Sequence, residues 1–92
     1  MANVIVALKI MPKGIDSDLG IIEQKVKEIF NDFGGEVGKV EHEPIAFGLK
    51  AIKVFFVMDE SKGFNEEELI SNISKISDVS SSEVIDVRRA IG

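Results

Sequence analysis

Cysteine is absent from this 92-residue chain, so disulfides, thiolate nucleophiles and cysteine-ligated metals are excluded together. That absence fits a reducing compartment. No apolar run approaches the ~20 residues of a membrane span. The opening Met-Ala-Asn-Val-Ile-Val-Ala-Leu-Lys has neither a basic leader nor a cleavage-site pattern. The chain is therefore expected to start directly with a strand, to be complete, and to be cytoplasmic. Arginine is scarce, with only Arg88 and Arg89 near the C-terminus. The formal net charge is −5, and broad binding to nucleic acid or anionic membrane wants the opposite, clustered Lys and Arg.

Catalytic groups are equally thin. His42 is the one histidine and lies between Glu41 and Glu43. On a strand, residues 41 and 43 point to one face and 42 to the other, so the three do not converge. An exposed loop histidine is the expected reading. Glu66, Glu67 and Glu68 fall in the first turn of an expected helix, where its dipole favours negative charge. No glycine pattern of a P-loop or dinucleotide site is present. The chain is expected not to be an enzyme, to need no cofactor or metal, and to act by binding.

What is present describes one domain over residues 1–92, with 45% hydrophobic and 29% charged residues, a globular balance. Val4, Val6, Leu8 and Ile10 alternate with Ile5, Ala7, Lys9 and Met11, a strand pattern that Pro12 stops. Asp16, Ser17 and Asp18 offer caps for a helix carrying Leu19, Ile22, Val26, Ile29, Phe30 and Phe33 on one face. Gly34-Gly35 ends it. A weak strand covers 36–43, a connection runs from Pro44 to Gly48, and 49–58 is the strongest strand. Asp59 to Gly63 reads as a polar turn. Asn65 with Glu68 has capping-box spacing, and Phe64 with Leu69 that of a hydrophobic staple. The helix so announced turns Leu69, Ile70, Ile73 and Ile76 inward. Ser80 to Ser82 is expected as a turn before a last strand through Val84, Ile85 and Val87. The order predicts an α+β, ferredoxin-like βαββαβ plait: a four-stranded antiparallel sheet with both helices on one face.

Chemistries hosted by that plait find little support. Acylphosphatases need an arginine after the first strand, where this chain has Lys13. RNA recognition needs stacking aromatics on the two central strands; Phe55 would serve on the third strand, but the first has none. The informative segment is Glu43-Pro44-Ile45-Ala46-Phe47-Gly48-Leu49, apolar where a strand connection is usually polar. Phe47 is either a proline-braced binding anchor or a satellite of the core, and the residues alone leave the two even. On the sheet face away from the helices, Ile5, Ala7, Phe55 and Val57 are expected to form an apolar patch flanked by Lys9 and Lys53.

The stretch Pro44-Ile45-Ala46-Phe47-Gly48-Leu49-Lys50 resembles the signature of the elongation factor one-beta family. Lys9-Ile10-Met11-Pro12, Asp16-Ser17-Asp18-Leu19 and the closing Asp86-Val87-Arg88-Arg89 support the match along the chain, which looks most like the archaeal form. The resemblance implies the same plait and a guanine-nucleotide exchange factor that promotes GDP-to-GTP exchange on elongation factor one-alpha, in its GDP-bound and nucleotide-free forms. It implies partner contacts at Pro44, Ile45, Phe47 and Gly48, with Arg88 and Arg89 supplying positive charge, and is compatible with a monomer. One departure stands out. Eukaryotic members place a lysine next to the C-terminus, whereas this chain ends Arg89-Ala90-Ile91-Gly92. The competing reading is a ferredoxin-like regulatory module that senses a small molecule and dimerises through its sheet.

Overall fold

The computed structural model describes residues 2–59 and 65–91, with side chains at 3–59 and 65–89. Four strands and two helices alternate as β1 (Ala2–Pro12), α1 (Leu19–Asp32), β2 (Glu36–Pro44), β3 (Lys50–Asp59), α2 (Glu66–Ser74) and β4 (Val79–Ile91). The strands form one antiparallel sheet in the order β2-β3-β1-β4, with β1 and β3 at the centre. This is the expected ferredoxin-like plait. Among the described residues no helix is long and apolar enough to cross a membrane.

Period-two alternation sets which face each strand buries. Val6, Leu8 and Ile10 on β1, with Ile52, Val54, Phe56 and Met58 on β3, are buried under the helices. They meet Ile22, Val26 and Phe30 of α1 and Leu69 and Ile73 of α2 in one core. Phe30 and Phe56 stack with ring centroids 4.0 Å apart. Gly35 lies against that stack: a Cβ there would sit 3.1 Å from Phe56 Cδ2, so the ring would have to give way by a few tenths of an ångström. The glycine that follows the helix thus also lets β2 approach the core.

The helix starts are capped by the residues the spacing singles out. Asp18 Oδ1 accepts from Ile21 N at 3.2 Å, and Asn65 Oδ1 accepts from Glu68 N at 3.0 Å. Each satisfies a backbone donor the helix cannot pair itself. The expected staple through Phe64 and the turn at 60–63 lie outside the described residues.

Two local expectations are corrected. Ser80–Ser82 is not a turn but part of β4, where Ser81 pairs with Met11 and Ser82 with Ile10. Pairing of Ser81 and Ser82 with the central strand β1 outweighs the turn preference of serine, while Ser80 falls at a register shift between Met11 and Pro12. The chain reverses instead just before them, where Val79 N donates to Ile76 O at 3.1 Å. His42 lies within β2 rather than in a loop, and its Nε2 contacts Glu23 Oε1 of α1 across the helix-facing side of the sheet. Beyond the arginines the backbone of β4 continues to pair with β1, Ala90 with Asn3 and Ile91 with Ala2.

Candidate partner-binding site

The β2–β3 connection closes on itself. Ile45 N donates to Leu49 O at 2.7 Å and Leu49 N donates to Ala46 O at 3.2 Å. Between them Ala46–Gly48 make one 3-10 turn in which Phe47 has φ 62° and ψ 31°, and Gly48 has φ 79°. This left-handed region costs an L-residue about 1–2 kcal/mol, which glycine avoids and phenylalanine does not. Phe47 is nonetheless 94% exposed, so no packing within the chain offsets its strain. The core-satellite alternative is not the one the structure adopts. Strain held without internal compensation belongs to ligand clamps and contact sites more often than to structural turns.

Pro44 is the last residue of β2 and pairs with Lys50. Ile45 is half-buried beneath the loop, and Gly48 carries the chain back into β3. These residues form one unit. A Cβ on Gly48 would meet Ile15 Cγ2 at 3.5 Å, so the loop after β1 stands beside it. Pro12, Gly14, Ser17, Leu19 and Lys50 complete the walls of a cleft of about 270 Å³ between the two loops. Ile15 itself is 68% exposed. An isoleucine inside the turn-forming run Pro12-Lys13-Gly14-Ile15-Asp16-Ser17 is a signal of the same kind as Phe47.

Arg88 and Arg89 are elsewhere. They pair with Ile5 and Val4, towards the start of β1, whereas the Phe47 loop lies beside its end at Pro12. At ~3.3 Å per residue, the eight steps of strand from Val4 to Pro12 separate the two groups by about 25 Å. Arg88 Nε donates to Asp86 Oδ2 at 2.7 Å on the exposed surface. The candidate residues therefore make two sites at opposite ends of the sheet, not one.

The face away from the helices has the expected composition but little bare apolar area. Ala7 opposes Phe55 and Ile5 opposes Val57. Ala7 is 4% exposed and the other three are half-buried. Lys39 Nζ lies 5.8 Å from the Phe55 ring centroid, in cation–π range. Glu43 Oε2 draws in Lys53 Nζ at 3.5 Å and Lys9 Nζ at 4.0 Å. Among the described residues, no group of three or more His, Asp or Glu side chains is placed to hold a metal ion.

Comparison with known proteins converges on one family. Residues 5–90 match the family described as the EF-1 guanine nucleotide exchange domain. Elongation factor 1-beta of Nanoarchaeum equitans is 42% identical over 83 residues, spanning 90% of this chain and 100% of that protein. Elongation factor 1-beta of Methanothermobacter thermautotrophicus is 38% identical over 91 residues, spanning 97% of this chain and 98% of that protein. Among solved structures, the ACT domain from GTP pyrophosphokinase of Chlorobium tepidum superposes with a TM-score of 0.59 at 11% identity, covering 90% of this chain and 99% of that one. The C-terminal domain of the MgtC protein from Mycobacterium tuberculosis gives 0.56 at 13% identity, covering 100% and 88%. At such identities these two likenesses describe the fold alone.

Proposed function

The chain belongs to the family of EF-1 guanine nucleotide exchange domains and is a guanine-nucleotide exchange factor of translation elongation, and we propose that it acts on elongation factor one-alpha through the Phe47 loop. The observation that carries the proposal is Phe47 itself, 94% exposed at φ 62° on a closed loop. A soluble protein gains nothing in stability by holding an aromatic side chain in water on a strained backbone. The arrangement becomes useful when a partner covers the ring, because a pre-set contact loses little further freedom on binding.

Exchange then follows from linkage. If the bound factor lowers the partner's affinity for GDP, GDP lowers the partner's affinity for the factor by the same ratio. No bond is made or broken, so the chain needs no nucleophile or acid–base pair and is not an enzyme in the chemical sense. The active form is the monomer, working in the cytoplasm. Arg88 and Arg89 provide a second, charged contact about 25 Å from the first by strand length. A rigid sheet held at both ends turns a local contact into a fixed orientation on the partner.

The test is release of labelled GDP from an archaeal elongation factor one-alpha. Release should accelerate with this chain and not with Phe47→Ala at the same concentration. Wild-type rates from the folded mutant would remove the loop from the mechanism.

A further inference from the structure

We infer that Ile15 is a second contact residue for the same partner, and that the cleft between Ile15 and the Phe47 loop receives one side chain from it. This inference rests on the Phe47 loop being the docking surface.

Four observations carry it. Ile15 is 68% exposed, in a loop whose other residues are polar or turn-forming. That loop is braced rather than loose: Gly14 N donates to Ser17 Oγ at 3.3 Å, and Ser17 N donates to Gly14 O at 3.2 Å. Lys13 N also donates to Asp78 O at 2.8 Å, fastening the loop to the connection before β4. Finally, a Cβ on Gly48 would meet Ile15 Cγ2 at 3.5 Å, so the exposed isoleucine stands next to the Phe47 loop.

Together the two loops present two fixed apolar prongs with a hollow between them. The hollow, about 270 Å³, falls below the ~300–1,000 Å³ of pockets for drug-sized ligands. Its size suits one protein side chain better than a free metabolite. Lys50 on its wall and Lys13, Asp16 and Asp18 in the adjoining loop give the rim charges of both signs. The surface facing it on the partner therefore carries polar groups at its edge around the contact with Ile15, the usual division between interface core and rim.

A propping role for Ile15, acting only through Gly48 and Phe47, makes a different forecast, and a double-mutant cycle separates the two. Affinity for nucleotide-free elongation factor one-alpha is measured for wild type, Ile15→Ser, Phe47→Ala and the double mutant, with the melting temperature of each. Ile15→Ser should melt within a few degrees of wild type and weaken binding roughly fivefold. A further loss of similar size should appear when it is added to Phe47→Ala. Should Ile15→Ser prove poorly folded, Ile15→Ala is judged by the same affinity readout. A loss only in the presence of Phe47 means that Ile15 is a prop, and the inference fails. Wild-type affinity for Ile15→Ser alongside weakened Phe47→Ala overturns the inference while leaving the docking loop in place. Wild-type affinity for Phe47→Ala overturns both.

Discussion

Phe47→Gly should make this chain more stable and less active at once. The backbone of Phe47 sits at φ 62°, ψ 31°, where an L-residue carries about 1–2 kcal/mol of strain. Glycine removes that strain but brings a freer unfolded chain, a penalty of roughly 0.5–1 kcal/mol. The lost side chain contributes almost nothing to the core, since 94% of its surface is already in water. The net is a gain of roughly 0.5–1 kcal/mol, which for a domain of 60–100 residues corresponds to a rise of about 2–8 °C in melting temperature. Loss of a central aromatic contact should meanwhile cost more than ~2 kcal/mol of binding, or roughly thirtyfold in affinity. Scanning calorimetry and stimulated GDP release on the same preparation read both quantities. A melting temperature several degrees below wild type would refute the reasoning, because the phenyl ring would then be supporting the fold.

Other substitutions probe parts of the same account. Gly48→Ala should lower stability by roughly 0.5–1 kcal/mol, the strain of its φ of 79° less the gain from a stiffer unfolded chain, since its Cβ would meet only Ile15 Cγ2 at 3.5 Å; urea titration reads the change. Asp18→Ala and Asn65→Ala each remove a helix cap and should each cost about 1 kcal/mol by the same titration, adding in the double mutant because the caps serve different helices. The Arg88→Ala, Arg89→Ala pair should slow association with the partner at low salt and converge on wild type at high salt, as charges at an interface rim do; equal rates at both salts would remove the arginine end from the encounter.

Much of this molecule was legible because its strands alternate cleanly. Val6, Leu8 and Ile10 on one face, and Ile52, Val54 and Phe56 opposite them, fixed both the register and the buried side. Asp18 and Asn65 were readable as caps since few residue types do that work. Ser80–Ser82 misled because turn preference is local, whereas β4 forms by pairing with a strand some seventy residues earlier in the chain. The contact of His42 with Glu23 of α1 joins residues 19 apart, beyond any local pattern.

The site was legible in part. The run from Pro44 to Gly48 stood out as apolar where polarity was expected, yet its residues left exposed and buried readings of Phe47 even. Backbone geometry decided between them. Ile15 was missed because one aliphatic residue in a turn is unremarkable until a second loop is seen to touch it. The two arginines were noticed for their rarity, but their distance from Phe47 depends on strand order and register.

The most direct measurement of the central claim is a closed thermodynamic cycle. Affinity of this chain for elongation factor one-alpha is determined with GDP bound and with the nucleotide site empty, and affinity of the partner for GDP is determined with and without this chain. Negative coupling requires the chain to bind the empty form more tightly, and to weaken GDP binding by the same factor. Equal affinity of the chain for the two forms, with unchanged GDP affinity, would contradict exchange by this mechanism.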